Sequence, residues 1–205
     1  MTLGWLALAL FVLGSVLTFG LRILIHRRRT GDSGLRLGAG PAWSVQWWAT
    51  VLVALSPVLL AAGPVAAIAG LDPVRPLDKP VIAGIGLVLV VAGIVGASLA
   101  QANMGTSWRF GLDQTEQTAL VTTGAFGVVR NPVYTAVVVT GLGLALMVPT
   151  VVSLVAVAVL VLAMQLQVRA VEEPYLARTH ATAYSRYAAK VGRFVPGVGT
   201  IRPRG

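Results

Sequence analysis

The sequence predicts an all-α, polytopic membrane protein with about five transmembrane helices and a C-terminal helix at the membrane interface or in the cytoplasm. Hydrophobic residues make up 56% and charged residues 11% of the 205-residue chain, and its mean hydropathy is +0.81. Soluble domains usually carry about 25% charged residues. Stretches almost free of charge cover residues 3–21, 45–70, 80–100 and 133–168. Because a bilayer core takes about 20 helical residues, we expect the last stretch to fold at Pro149 into two spans.

The composition argues against several function classes. The chain has no cysteine, and His26 and His180 are isolated, so no metal site is expected. It contains neither a glycine-rich phosphate-binding loop nor a serine nucleophile flanked by glycines. The net charge of +9 comes from cations that cluster beside the spans, which favours membrane lipids over nucleic acid as partners.

The distribution of cations predicts an orientation in the cell (inner) membrane. The loop after the first span, "HRRRTGDSGLRLG", is strongly basic, whereas "LDPVRPLDK" after the second balances two cations with two acids. By the positive-inside rule the first loop is cytoplasmic, the N-terminus outside and the C-terminus cytoplasmic. Every Lys and Arg except Arg75 and Lys79 then lies inside, including Arg109, Arg202 and Arg204. The first hydrophobic run has no basic residue ahead of it, so we interpret it as a retained span.

The segment "RNPVY", residues 130–134, places polar groups directly before the fourth span. Pro132 suits the first turn of a helix because its missing N–H would have no partner there. Asn131 then lies near the N-cap, and Tyr134 offers a hydroxyl at interface depth. Arg130 beside a helix N-terminus suits a carboxylate ligand. An alternative is that Arg130 caps loop carbonyls or meets lipid phosphate.

Two adjacent glutamates, Glu172 and Glu173, follow the fifth span, where an unpartnered carboxylate is unfavourable. Pro174 disfavours a helical conformation at Glu173, so we expect the span to bend there and a second helix to begin. Tyr184 and Tyr187 share one face of that helix. A basic amphipathic helix on anionic lipid is the alternative, but it does not explain the glutamates. The hairpin of the last two spans brings these carboxylates near Arg130, which suggests a site for a cationic cofactor and an anionic substrate.

Two runs near the C-terminus carry an ordered set of short motifs, "GAFGVVRNPVYTA" and "VEEPYLARTHATAYSRYAAKVGRFVP". Together they resemble the isoprenylcysteine carboxyl methyltransferase family of integral membrane enzymes. The pattern of that family is Arg-His-Pro-x-Tyr, then Glu-Glu-x-x-Leu, Tyr-x-x-Tyr and a closing Arg-Phe-x-Pro. Asn131 stands in place of the usual histidine, and His180 and Ala181 stand where Phe-Gly is common. The resemblance divides the chain into an N-terminal two-helix membrane segment with a basic cytoplasmic loop, residues 1–79, and a methyltransferase-like core, residues 80–205.

The resemblance implies a methyltransferase that uses S-adenosylmethionine as its cofactor and takes its acceptor from the bilayer. Carried over by position, the residues implied in catalysis are Arg130 and Glu173. Those implied in cofactor binding and closure of the pocket are Asn131, Pro132, Tyr134, Glu172, Tyr184, Tyr187 and Arg193. Asn131 cannot act as a general base near neutral pH, but methyl transfer to a carboxylate needs positioning and no base.

We therefore expect a carboxyl O-methyltransferase that acts on a lipophilic carboxylate of isoprenoid or fatty-acyl type at the cytoplasmic membrane interface. A membrane reductase related to the sterol reductases is one alternative, and NADPH binding would distinguish it. A small transporter or scaffold is another, although none of the spans carries an ionisable residue away from its ends.

Overall fold

The computed structural model describes residues 2–36, 40–105, 110–111 and 119–201. The predicted all-α fold is confirmed. The helices are α1 (Thr2–Thr30), α2 (Val45–Ile68), α3 (Pro80–Met104), α4 (Ala125–Val128), α5 (Pro132–Met147), α6 (Val151–Leu166) and α7 (Glu173–Lys190). A π-helical turn, Val16–Gly20, lies within α1, and another, Gln167–Glu172, joins α6 to α7. The two-residue strands β1 (Leu35–Arg36) and β2 (Phe110–Gly111) pair in parallel.

The membrane-spanning helices agree with the sequence, with one difference in length. In the described part of the chain, four helices are long and apolar enough to cross a membrane: α1, α2, α3 and the continuous helix of α6 and α7. The expected fold at Pro149 is confirmed, since α5 ends at Met147 and α6 begins at Val151. However, α5 has only 16 residues, a length of about 24 Å, which is shorter than a bilayer core of about 30 Å.

Glycines bring α3 and α5 into close contact. A Cβ atom at Gly86 would lie 2.6 Å from the Gly143 carbonyl oxygen, and one at Gly93 would lie 2.7 Å from the Ala136 carbonyl oxygen. Small residues allow such close approach in lipid, where packing and not the hydrophobic effect drives helix association. The pairs also define an antiparallel register, because a step of seven residues forward along α3 matches a step of seven backward along α5. The last two helices form a hairpin, but α5 packs mainly against α3, and α6 mainly against α2.

Replacing Gly93 by Ala is expected to destabilise the protein by about 1–3 kcal/mol, a typical effect of overpacking. The methyl group would press on the α5 backbone at Ala136 and Thr140. Gly84, on the same helix, is the matched control because a Cβ atom there meets nothing within 4 Å. Thermal unfolding in detergent should show a lower midpoint for Gly93→Ala and an equal or higher one for Gly84→Ala. Equal midpoints for the two variants would contradict this close contact.

Two hydrogen bonds define the two ends of the helix bundle. The Arg22 Nη2 donates to the Gly105 carbonyl oxygen over 2.7 Å, which joins the C-terminal part of α1 to the end of α3. At the other end, the Val74 N–H donates to the Pro149 carbonyl oxygen over 2.8 Å. The end that contains Gly105 and the start of α5 is called the polar end below. Arg109, Arg202 and Arg204, which the sequence places on the cytoplasmic side, lie outside the described residues.

The expected break at Pro174 takes a different form. Glu173 is helical, with φ −60° and ψ −43°, so the prediction of a non-helical Glu173 is wrong. The preceding turn widens into the π-helix Gln167–Glu172, which keeps the chain helical although proline removes one donor. A π-helical turn of this kind is often found at functional sites. The sharper break lies further on, at Ala181, whose φ is 38°.

Candidate active site

The C-terminal segment, residues 191–201, folds back over the start of α5. The Arg130 N–H donates to the Gly192 carbonyl oxygen over 2.8 Å, and the Asn131 N–H donates to the Arg193 carbonyl oxygen over 3.1 Å. The Asn131 Nδ2 donates to the same oxygen. Asn131 is the N-cap residue and Pro132 the first residue of α5, as the sequence predicts. The segment "RNPVY" is therefore fixed by the tail of the chain.

Arg130 is almost fully buried, and its guanidinium joins several parts of the tail. Its Nη1 donates to the carbonyl oxygens of Ala188 and Val191, over 3.1 and 2.6 Å. Its Nη2 donates to Glu173 Oε1 over 2.6 Å and to the Gly199 carbonyl oxygen over 3.1 Å. The carbonyl contacts agree with the alternative that Arg130 caps loop carbonyls, and the carboxylate it meets belongs to the chain itself.

Glu173 is the centre of a buried ion-pair cluster. It accepts from Arg130 and from both Nε and Nη2 of Arg193, each of the latter over 2.8 Å. The contact with Arg193 uses both carboxylate oxygens, a geometry that suits the planar guanidinium. It raises the pKa of Arg193 above its ordinary value. The cluster attaches α7 to the start of α5 through charges that have little contact with water.

Glu172 has a different environment from its neighbour. It accepts a short hydrogen bond from the Tyr134 hydroxyl and a long one, 3.5 Å, from Gln167 Nε2. Within the described residues it forms no ion pair, since both ion pairs of this region use Glu173. A carboxylate in an apolar setting that has only neutral donors favours a nearby positive charge.

The two tyrosines of α7 lie side by side, as the sequence predicts. Their ring centres are 6.3 Å apart in an edge-on arrangement. The Tyr187 hydroxyl donates to the Phe126 carbonyl oxygen over 2.6 Å, which attaches α7 to α4. Tyr184 is buried.

These side chains surround one cavity of about 570 Å³. Its polar wall comes from the "RNPVY" segment, the two glutamates and the tyrosines of α7. Mainly apolar residues of α1, α2, α3, α5 and α6, and of the chain before Arg130, form the rest. Along α5 the wall extends from Pro132 to Leu144, a depth of about 18 Å at 1.5 Å per residue. The cavity therefore has a charged mouth at the polar end of the bundle and an apolar interior.

Most of the residues singled out from the sequence line this cavity. They are Arg130, Asn131, Pro132, Tyr134, Glu172, Glu173, Tyr184 and Tyr187. Arg193 lies behind them, on Glu173. The sequence did not indicate the walls from α1 and α2, nor Gln101 on α3, which is 2% exposed and lines the cavity. The available signal for Gln101 was an amide at the end of an otherwise apolar span.

Comparison with known proteins identifies the family of this chain. The sequence model of the phospholipid methyltransferase family matches residues 81–183, about half of the chain. The chain belongs to the phospholipid methyltransferase family. This family is part of the isoprenylcysteine carboxyl methyltransferase family, so the resemblance found in the motifs is confirmed. The search of curated proteins gave no match.

Membership identifies a membrane methyltransferase, and methyltransferases of this family use S-adenosylmethionine as the methyl donor. One feature of the cavity fits the positive charge of this methyl donor. Glu172 is a carboxylate without a cationic partner among the described residues. The phospholipid methyltransferase assignment also favours a transferase over the reductase and transporter alternatives.

Proposed function

We propose that this protein transfers a methyl group to the carboxylate of a lipophilic molecule that enters the cavity from the bilayer. The observation that carries the proposal is the form of the cavity, with paired charges at its mouth and an apolar interior about 18 Å deep. We further propose that the polar end faces the cytoplasm, where the cofactor is dissolved, as the distribution of cations predicts.

In this proposal the Glu172 carboxylate binds the positively charged part of the cofactor. The Tyr134 hydroxyl holds this Glu172 carboxylate in place. Tyr184, Tyr187 and the Asn131–Pro132 pair line the same wall. S-adenosylmethionine supplies a methyl group on a cationic sulfur, which a carboxylate accepts without first losing a proton. Arg130, Glu173 and Arg193 act as positioning residues, because their strongest contacts are with one another.

Charge balance supports a carboxylate acceptor. The cluster around the cavity mouth contains two arginines, Arg130 and Arg193, and two glutamates, Glu172 and Glu173. These charges cancel, so the described part of the mouth supplies no net charge to offset a cationic cofactor. An anionic acceptor offsets the positive charge of the cofactor, whereas an ammonium group would add a second positive charge to a poorly solvated space.

Calorimetry on the detergent-purified protein tests the function. We expect saturable binding of S-adenosylmethionine and none of NADPH. With the cofactor bound, radiolabelled methyl transfer should occur to palmitate or to the isoprenoid acid phytanate, and not to phosphatidylethanolamine. Transfer to phosphatidylethanolamine alone would show that the acceptor is a phospholipid amine and not a carboxylate. NADPH binding without S-adenosylmethionine binding would refute the methyltransferase assignment.

A further inference from the structure

The guanidinium of Arg130 offers no accessible N–H donor to a methyl acceptor. An arginine has five N–H donors, and the four on Nη1 and Nη2 go to Glu173 and to three backbone carbonyls. The fifth, on Nε, is buried with less than 1 Å² of accessible surface and meets no partner among the described residues. An acceptor carboxylate therefore needs a donor from another residue.

Gln101 is such a residue. It is 2% exposed, its side chain lines the cavity, and no hydrogen bond joins it to any other described residue. An unpartnered amide in a protein interior is unfavourable, and buried amides are almost always paired. The unpaired amide of Gln101 is thus directed into a cavity in which a ligand can pair it.

The register between α3 and α5 places Gln101 at the reactive end of the cavity. Gly93 lies against Ala136, and Asn103, two residues after Gln101, lies against Gly124. Gln101 is therefore at the level of the chain between Gly124 and Ala136, which contains "RNPVY".

We propose that Gln101 is the acceptor-binding residue, whose Nε2 donates a hydrogen bond to the carboxylate of the lipophilic substrate. This inference rests on the proposed function. A neutral amide donates without altering the charge balance of the mouth, whereas an additional arginine or lysine would leave an uncompensated charge when the substrate is absent. A site that hydrogen-bonds a polar group also rejects lipids that lack it, because its own donor would then stay unpaired.

The test compares Gln101→Met with wild type and with Asn103→Leu, an amide-to-apolar change at an exposed position two residues away. Calorimetry measures binding of palmitate and phytanate in the presence of S-adenosylhomocysteine, and S-adenosylmethionine binding is measured separately. We expect Gln101→Met to weaken binding of both acids by about tenfold or more, as loss of a hydrogen bond to a charged group does, and to change cofactor affinity by less than twofold. Asn103→Leu should leave both affinities unchanged.

Thermal unfolding of the ligand-free proteins separates ligand binding from a structural role. Because Gln101 has no partner among the described residues, Gln101→Met should leave the midpoint unchanged or raise it by about 2–4 °C. A lower midpoint together with weaker binding of both acid and cofactor would indicate a structural residue and overturn the inference. Unchanged acid affinity in a folded variant would overturn it as well. Failure of the wild type to bind S-adenosylmethionine would instead refute the proposed function, and with it this inference.

Discussion

Replacing Arg130 by Ala is expected to lower the free energy of unfolding by about 3–5 kcal/mol, the usual effect of removing one partner from a buried ion pair, and to abolish methyl transfer. The side chain of Arg130 is 2% exposed. Its removal leaves Glu173 with only Arg193, the Val191 carbonyl oxygen without its Arg130 donor, and the Ala188 carbonyl oxygen with only the N–H of Ile201. The tail over α5 would lose its main attachment.

Thermal unfolding in detergent and a methyl-transfer assay measure the two effects of Arg130→Ala. Arg186→Ala is the matched control, because Arg186 is an exposed arginine on the same α7 helix and should lose less than 0.5 kcal/mol. Arg130→Lys should recover only a small part of the stability, since a lysine has three donors and no planar fork. A stable Arg130→Ala protein that lacks only acceptor affinity would show that Arg130 contacts substrate directly.

The sequence was informative where local signals decide the structure. Pro132 after a polar pair predicted the start of α5, and the spacing of Tyr184 and Tyr187 predicted a shared face. The partners of Arg130 could not be predicted in the same way. Glu173 was expected near Arg130, but the other three partners are backbone carbonyls of residues 188–199. A carbonyl that meets a distant side chain has no signature in the residue types around it.

At Ala181 the residue type in the family pattern agrees with the backbone conformation in the structure. The resemblance carries glycine at this position, and the structure gives Ala181 a φ of 38°, in the region that glycine adopts without strain. The break within α7 is therefore encoded in the family pattern, although this chain has alanine there. Helical periodicity alone predicts a continuous helix through this position.

The walls of the cavity could not be predicted from the sequence, because they come from helices that are far apart along the chain. Its walls from α1 and α2 belong to the part of the chain that precedes the family match at residues 81–183. Gln101 lies outside the matched motifs and becomes visible only when its burial and the absence of a described partner are known together. Sequence motifs thus identified the charged mouth of the cavity and missed the walls that α1, α2 and Gln101 form.

Replacing Glu172 by Gln is expected to weaken S-adenosylmethionine binding by about ten- to a hundredfold, the range that a hydrogen bond to a charged group represents, with little change in stability. The glutamine keeps the shape of the side chain and can still accept from the Tyr134 hydroxyl. It loses only the negative charge, for which the described part of the chain provides no cationic partner. Calorimetry on the purified variant measures the affinity, and thermal unfolding measures the stability.

The adjacent glutamate provides the matched control for this prediction. Glu173→Gln makes the same chemical change one residue later, where the carboxylate binds Arg130 and Arg193. That variant should unfold at a clearly lower temperature, because two arginines lose the charge that compensates them in a buried position. The sequence presents the two glutamates as equivalent, but their partners separate them into a ligand-facing and a structural role. If Glu173→Gln weakened cofactor binding without loss of stability while Glu172→Gln did not, the two roles would have to be exchanged.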